Sequence, residues 1–356
     1  MKSTAGKFIV AIGMLLLLMV IAACGEDASS EAGAATDTDV EETETTETEG
    51  ETEASEEAVD LGEAKLVTNW FAQPEHGGNY AALKEGYYAE EGIDMTVEPG
   101  GPQISATQLV SSGKVEFGYT SGEDILNARD KGIPLVAIGA IFQTSPYVLI
   151  SHEEAGIEDF SDLNGKTVIT APGVGYWEYI KEAYDLDDVK ELSYTGNLAT
   201  FIDNPDAVTQ GYVTSEPFVL DKEGVANNHL LIHDSGFQPY SNVIFTTEKV
   251  IEEKPELVKA FMKATVKGWE TYREDPAAYQ SFLQEYNPDL TTELMDFGAE
   301  TQDEFVFGGD AAEHGFGYMS EERWSDLQQK MIDLGIISYE EDASNYFTTE
   351  FLPTEE

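Results

Sequence analysis

The chain has 356 residues, of which 69 are Asp or Glu and 19 are Lys or Arg, so its formal net charge is -50. This charge excludes nucleic-acid binding through phosphate neutralisation, which needs clustered basic side chains, and docking on an anionic membrane through a basic patch. A hydrophobic fraction of 41% is enough for a sizeable core. The single cysteine excludes an intramolecular disulfide, a zinc site with several cysteines and an iron–sulfur cluster.

The N-terminus has the layout of a secretory signal. Lys2 and Lys7 precede an apolar run over residues 8–20, and small residues follow just before Cys24. This pattern resembles a bacterial lipobox, in which the thiol takes a diacylglyceryl group and becomes the mature N-terminus. The alternative is an uncleaved membrane anchor, but an apolar stretch of about 16 residues is short against the roughly 20 that a span needs. We therefore predict a signal peptide over residues 1–23, lipidation of Cys24 and a membrane-anchored protein on the extracellular face.

Residues 24–63 form an acidic segment with 16 carboxylates and no basic side chain. The segment has no apolar face to bury, so we predict an unfolded tether between the lipid anchor and a folded domain. Residues 64–356 keep 53 acidic and 17 basic residues, so the acidity also belongs to the predicted domain. Such a surface suits a saline or alkaline habitat, or simply a strongly acidic extracellular protein.

The folded part alternates short apolar runs with helical patterns. Strands are predicted over residues 65–70, 93–98, 115–119, 135–142, 147–151, 167–170 and 208–212. Helices are predicted over residues 78–86, 105–112, 122–131 and 248–273, with a mostly helical C-terminal third. This alternation predicts an α/β protein whose parallel sheets are covered on both faces.

Two short segments, residues 140–147 and 236–241, carry a proline, aromatic residues and small polar residues between apolar strands. If the chain leaves one lobe at the first segment and returns at the second, one lobe covers residues 144–240. The other lobe then covers residues 64–143 plus 241–356. Two α/β lobes joined by two crossovers enclose a cleft, and hinged closure around a ligand is the usual use of such a cleft.

The stretch from Asn69 to Ala82 carries a family resemblance. It reads Asn-Trp-Phe-Ala-Gln-Pro-Glu-His-Gly-Gly-Asn-Tyr-Ala-Ala and looks like the Asp-Trp-x-Pro-Asn-x-x-His-x-Gly-x-Tyr-x-Ala stretch of the thiamine-pyrimidine precursor family. The residues that match are Trp70, His76, Gly78, Tyr80 and Ala82, whereas Asn69, Ala72 and Gln73 stand where the family has Asp, Pro and Asn. Residues 84–93 and 117–134 and the glutamine Gln143 are also similar to this family.

The resemblance implies a two-lobed, type II periplasmic-binding-protein fold. It further implies a monomeric solute-binding protein that delivers a small molecule to an ABC permease and, through it, to the ATPase. The family also contains fungal pyrimidine synthases, which look to use a Cys-rich motif. Because Cys24 is the only cysteine and the chain is predicted to be exported, we predict that it is not an enzyme and uses no cofactor. A surface adhesin or structural lipoprotein is a further alternative, which predicts no ligand-induced closure.

The residue types narrow the ligand. A strong anion such as a sulfonate usually needs Arg or a Ser/Thr-rich turn at a helix N-terminus. The three arginines, Arg129, Arg273 and Arg323, lie in helical patterns predicted to face solvent, and the turn over residues 172–178 carries aromatics and a carboxylate instead. Aromatic faces and carboxylates suit a flat aminated heterocycle such as a thiamine pyrimidine precursor. A quaternary amine, a sulfonate, a nitrate-type anion and other organic solutes remain alternatives.

The predicted ligand-binding residues are aromatic, acidic or hydrogen-bonding side chains at strand ends, helix starts and crossovers: Trp70, His76, Tyr80, Glu123, Gln143, Tyr176, Trp177, Glu178, Tyr212 and Glu216. For each of them the alternative is a purely structural role in the core or at a helix start. Glu123 follows a predicted parallel strand, at the end where open α/β sheets bind ligands. No metal site is predicted, because the pair His229 and His233 lacks a third ligand.

Overall fold

The computed structural model describes residues 59–338 and 340–353. The predicted signal peptide, Cys24 and nearly all of the predicted tether therefore lie outside the described residues. Within these residues no helix combines the length and the apolar character that crossing a membrane requires. The first strand begins at Gly62, so residues 62 and 63 belong to a sheet rather than to the tether in which the sequence places them.

Ten strands form two sheets of five strands each in the described part of the chain. The strands are β1 Gly62–Val67, β2 Ile93–Glu98, β3 Phe117–Thr120, β4 Leu135–Phe142, β5 Tyr147–His152, β6 Thr167–Thr170, β7 Lys190–Ser193, β8 Ala207–Tyr212, β9 Asn227–Leu231 and β10 Ser241–Thr247. Seven of them match the predicted runs to within a few residues, because buried apolar runs bounded by turns are typical of strands in covered sheets.

Helices cover both sheets. They are α1 Gly77–Glu85, α2 Tyr87–Glu90, α3 Ala106–Ser111, α4 Gly122–Asp130, α5 Gly175–Ala183, α6 Ala199–Ile202, α7 Glu216–Lys222, α8 Glu248–Glu253, α9 Pro255–Glu274, α10 Gln280–Tyr286, α11 Thr292–Phe307, α12 Ala311–His314 and α13 Glu321–Asp333. Short 3-10 turns are found at Pro74–His76, Glu153–Ala155, Phe160–Leu163, Ile232–Ser235, Pro276–Tyr279 and Ala343–Asn345.

The two sheets share one plan, and both are mixed. The first has the order β2-β1-β3-β10-β4 and the second has the order β7-β6-β8-β5-β9. Strand β10 runs antiparallel to β3 and β4, and β5 runs antiparallel to β8 and β9. The prediction of parallel sheets is therefore wrong for β5 and β10. Each of these strands directly follows a crossover from the other sheet. No helix has returned the chain to the edge where the parallel strands of its sheet begin, so the strand begins at the opposite edge and runs antiparallel to its neighbours.

The chain passes from the first sheet to the second between β4 and β5 and returns between β9 and β10. These two connections make the molecule a two-lobed α/β protein of the predicted type. Below, lobe 1 is the lobe that contains the first sheet and lobe 2 is the lobe that contains the second. The exact division at residues 143/144 and 240/241 remains our proposal for the lobe boundaries.

The predicted helix over residues 248–273 is two helices. Pro255 is the first residue of α9, and it has no backbone N–H to continue α8. Lys254, directly before the proline, leaves the helical region with φ -137° and ψ 48°, as residues before proline tend to do. Helix α9 then packs closely on α1: a Cβ added at Gly268 would lie 2.3 Å from the Gly78 carbonyl oxygen. This close packing holds the start of α1, and so the loop before it, in place.

Candidate functional site

A cavity of about 750 Å³ lies between the two lobes. In lobe 1 it is lined by the loops that follow β1, β2 and β3, and in lobe 2 by the loops that follow β6, β7 and β8. Neighbouring parallel strands end at the same edge of a sheet, so these loops converge on one cleft. Ligands of open α/β sheets bind at this edge, so the cavity is the candidate binding site.

The structure brings six of the ten predicted ligand-binding residues together at this cavity: Trp70, His76, Glu123, Tyr176, Tyr212 and Glu216. They come from both lobes, which is what a site that closes around its ligand requires. We retain these six as our proposed ligand-binding residues. The other four predicted residues lie elsewhere.

Two of those four are core aromatics. Tyr80 is fully buried on α1, and its ring lies 4.7 Å from the ring of Tyr286. Trp177 is 1% exposed on α5 and belongs to a buried hydrophobic cluster, with the Lys181 ammonium 5.8 Å from its ring centroid. Neither side chain lines the cavity, because each faces the apolar layer beneath its helix. We withdraw both from the proposed site.

The other two lie outside the cavity for different reasons. Gln143, at the first crossover, is buried and donates from Nε2 to the Tyr318 carbonyl oxygen at 3.0 Å, so it fixes the crossover to the C-terminal part of lobe 1. Glu178 lies on the solvent side of α5, where its carboxylate pairs with Lys181 at 3.1 Å. We withdraw these two residues from the proposed site as well.

A polar network from lobe 1 fixes His76. The Nδ2 of Asn69 donates to Asn242 Oδ1 at 2.8 Å, which leaves Asn69 Oδ1 as the acceptor for His76 Nε2 at 2.9 Å. His76 therefore carries its hydrogen on Nε2, and its Nδ1 is an acceptor with no partner among the described residues. Burial lowers the pKa of His76 to about 3, so the ring is neutral at physiological pH.

Glu75 is a cavity-lining carboxyl that the sequence does not predict. Its Oε1 accepts from the Thr214 hydroxyl of lobe 2 at 2.5 Å, which makes a buried contact between the lobes. Its Oε2 has no hydrogen-bond partner within the described chain. Burial raises the pKa of Glu75 to about 7, against the opposing effect of the Thr214 hydrogen bond. Its position next to His76, in the stretch from Asn69 to Ala82 that resembles the family, is the sequence feature that could have indicated a role in the site.

Glu216 holds the loop that follows β8. Its Oε2 accepts from the backbone N–H of Tyr212 at 2.7 Å and from the Ser215 hydroxyl at 2.6 Å. Burial raises the pKa of this carboxyl, and the two hydrogen bonds oppose the increase. Glu216 therefore positions Tyr212 and adds negative potential to the lobe 2 wall of the cavity.

Three tyrosines form the aromatic wall in lobe 2. The rings of Tyr147 and Tyr212 lie edge to face at 4.5 Å, and Tyr176 lies 5.6 Å from Tyr147. The amide oxygen of Gln210 accepts from the Tyr176 hydroxyl at 3.1 Å and from the Ala171 backbone N–H at 2.6 Å, which fixes the turn into α5. The position of Tyr147 at the first crossover could have indicated from the sequence that it belongs to the site. Nothing in the local sequence distinguishes Gln210.

No Lys or Arg of the described chain lines the cavity, although four carboxyl groups do: Glu75, Glu123, Asp124 and Glu216. Arg129 is buried rather than facing solvent as predicted, because it pairs with the carboxylates of Glu341 and Glu248. The cavity therefore favours a ligand that is neutral or positively charged and that donates hydrogen bonds.

The fold defines the class of protein. The periplasmic aliphatic sulphonate-binding protein of Escherichia coli matches it with a TM-score of 0.63 at 13% identity, over 83% of this chain and 94% of that chain. At this identity the likeness concerns the fold alone, and it places the chain among proteins with the type II periplasmic-binding-protein fold. Residues 73–279 match the family described as NMT1/THI5 like, and the chain belongs to that family.

Three relatives show the range of the family. A riboflavin-binding protein of Chloroflexus aurantiacus is 27% identical, over 97% of each chain. A formylaminopyrimidine-binding protein of Halalkalibacterium halodurans is 26% identical, over 63% of this chain and 70% of the relative. A 4-amino-5-hydroxymethyl-2-methylpyrimidine phosphate synthase of Legionella pneumophila is 27% identical, over 64% of this chain and 75% of the relative.

The last of these relatives contradicts the prediction that the chain is not an enzyme. Further relatives in yeasts and in the mould Aspergillus parasiticus carry the same synthase name. The family thus contains both enzymes and binding proteins. The absence of a cysteine-rich motif from this chain, on which the prediction depended, therefore does not establish that the chain is not an enzyme.

Replacing Glu75 with glutamine is expected to stabilise the protein at alkaline pH and to have little effect at pH 4. The folded-state pKa of Glu75 is about 7, above its ordinary value of 4.5, so the folded protein holds this proton more tightly than the unfolded chain. The native protein therefore loses stability as pH rises from about 4.5 to about 7, and glutamine has no proton to lose. By pH 8.5 the variant should gain about 3 kcal/mol relative to the native chain, measured by urea unfolding.

The matched control is Glu252→Gln, because Glu252 is exposed on α8. Its stability difference from the native chain should be the same at pH 4 and pH 8.5. A Glu75→Gln difference that also stays constant over this range would contradict the buried, proton-holding state of Glu75.

Proposed function

We propose that this chain is a solute-binding protein of an ABC importer and that it captures a flat, nitrogen-bearing heterocycle, such as an aminopyrimidine, between its two lobes. The observation that carries the proposal is a set of buried polar atoms without a hydrogen-bond partner, on residues of a cavity that no Lys or Arg of the described chain lines. These atoms are Glu75 Oε2, His76 Nδ1 and Glu123 Oε2.

Buried acceptors without a partner are unfavourable, costing about 1–3 kcal/mol each. A ligand that supplies N–H donors removes this cost when it binds. An aminopyrimidine offers an exocyclic amino group that donates to a carboxyl oxygen and a ring nitrogen that accepts from a protonated carboxyl. It therefore suits Glu75 and Glu123, because burial raises their pKa values to about 7 and about 8. His76 accepts through Nδ1 because the Asn69 network holds its hydrogen on Nε2.

The aromatic side chains supply the apolar part of such a site. Trp70 comes from lobe 1, and the Tyr147, Tyr176 and Tyr212 cluster comes from lobe 2. Flat heterocycles bind to aromatic faces by stacking, which adds to the energy of burial. A ligand that contacts both lobes binds the closed state more tightly than the open state. The difference between these two binding free energies is the amount by which the ligand stabilises the closed state.

A sulfonate or nitrate-type anion is disfavoured by the same lining. Recognition of a strong anion relies on guanidinium, ammonium or free backbone N–H groups. The described arginines are engaged elsewhere: Arg323, for example, donates to the carbonyl oxygens of Gln238 and Pro239. Those of the four cavity-lining carboxyl groups that are ionised would also repel the anion.

The relatives support the ligand class. Riboflavin and formylaminopyrimidine, which are named in two of them, are both flat nitrogen heterocycles. We extend this class to the present chain, with an aminopyrimidine as the first candidate. We also propose that the protein acts as a monomer on the extracellular face of the membrane, held by a lipid on Cys24, where it would meet its permease.

A thermal-shift screen of the full chain tests the proposed function. The probes are formylaminopyrimidine, riboflavin, choline and methanesulfonate. We expect a saturable rise in melting temperature with at least one of the two heterocycles, because a ligand at 100 times its Kd stabilises the native state by about 2.7 kcal/mol. A rise with methanesulfonate alone, with choline alone or with none of the four would contradict the proposal.

A further inference from the structure

Glu123 reaches from lobe 1 to the first turn of a helix in lobe 2. It follows the Ser121 N-cap of α4, and a Cβ added at Gly175 would lie 2.5 Å from Glu123 Oε2. Glu123 is 9% exposed, and this oxygen has no hydrogen-bond partner within the described chain. Gly175 is the first residue of α5, so only a residue without a side chain lets the carboxyl approach the helix this closely.

The N-terminus of α5 lacks a side-chain cap of its own. Its N-cap residue is Val174, which has no oxygen to accept from the first-turn N–H groups. A nine-residue helix with an open first turn presents N–H groups and a positive dipole end, a combination that binds anions. Glu123 lies at this position and interacts with the Tyr176 backbone N–H.

We propose that Glu123 occupies the anion position at the N-terminus of α5 and thereby excludes ligands that carry an anionic group. This inference rests on the proposed function, because it assigns to one residue the selection between heterocycles and anions in the same cavity. An anion that entered would have to displace a side chain belonging to the protein itself. The contact of Glu123 in lobe 1 with the start of α5 in lobe 2 therefore selects against anionic ligands.

Both protonation states of Glu123 exclude an anion. Burial raises the pKa of Glu123 to about 8, with a further increase from the Asp124 charge and an opposing effect from the Tyr176 N–H. As a carboxylate, Glu123 repels a second negative charge. As a carboxylic acid, it still fills the position beside the first turn of α5. The tyrosines Tyr147 and Tyr176 are the other titratable groups that face it.

Calorimetric titration of the full chain with methanesulfonate tests the inference. We expect native protein to show no binding at millimolar concentration and Glu123→Ala to gain affinity at least tenfold. The matched control is Asp124→Ala, because Asp124 also lines the cavity but accepts from the Thr120 hydroxyl at 2.7 Å instead of approaching α5. A gain in Glu123→Ala but not in Asp124→Ala would support the inference.

No gain in a folded Glu123→Ala protein would overturn the inference, and so would an equal gain in both variants, which would indicate a general charge effect. If Glu123→Ala does not fold, Glu123→Ser takes its place in the titration, because serine also vacates the position beside α5, and it should bind methanesulfonate more tightly than the native protein does. No difference there would also overturn the inference. Heterocycle binding by the native chain is measured separately, so failure of the proposed function and failure of this inference give different results.

Discussion

Replacing Trp70 with alanine is expected to weaken binding of formylaminopyrimidine by about 5- to 150-fold. Trp70 lines the cavity from lobe 1, and the loss of stacking on an aromatic ring costs about 1–3 kcal/mol. Its ring is only partly buried, so the melting temperature of the unliganded protein should change little. Calorimetry at constant pH measures the change in Kd.

Phe71 provides the matched control for Trp70. It is the next residue in the same loop, 46% exposed, and its ring meets the Trp70 ring edge to face at 5.5 Å, but it does not line the cavity. Phe71→Ala should change the Kd less than threefold. If Phe71→Ala weakens binding as much as Trp70→Ala does, Trp70 acts by shaping the loop and not by contacting the ligand.

Replacing Trp177 with alanine is expected to lower the free energy of unfolding by about 3–5 kcal/mol. Trp177 is 1% exposed within the hydrophobic core, and alanine would leave a cavity there. The variant molecules that remain folded should bind the heterocycle with a Kd within about twofold of native, because the indole does not line the site. Urea unfolding and calorimetry measure the two quantities.

The neighbouring Glu178 is the control for Trp177. It lies on the same helix, but its side chain is 42% exposed and forms a surface ion pair, so Glu178→Ala should cost less than about 1 kcal/mol. A Trp177→Ala protein of native stability that has lost its affinity would show that this indole belongs to the binding site after all.

The alternation of strands and helices was readable from the sequence because it depends on local patterns. Helix starts carry their own signals: Ser105 and Ser121 both accept from a backbone N–H of the first turn. The direction of β5 and β10 was not readable, since an apolar run buries equally well in either orientation. Strand direction is set by which edge the crossover reaches, and that is a property of the whole chain.

The candidate site shows the same limit. The sequence analysis predicts that the consecutive residues Tyr176, Trp177 and Glu178 all bind the ligand. Successive residues of an α-helix, however, point about 100° apart. Tyr176 therefore faces the cavity, Trp177 faces the core and Glu178 faces solvent. Glu75 could not be predicted from local pattern, because its partner Thr214 lies 139 residues away along the chain.

Tryptophan fluorescence offers the most direct test that a heterocycle binds between the lobes. The chain has four tryptophans, of which Trp70 lines the cavity whereas Trp177, Trp269 and Trp324 are at most 1% exposed in the cores. Titrating formylaminopyrimidine into the full chain should quench fluorescence saturably, and Trp70→Phe should lose the quenching while calorimetry still detects binding. Quenching that survives in Trp70→Phe, or a saturable response to methanesulfonate and none to the heterocycle, would contradict this binding site.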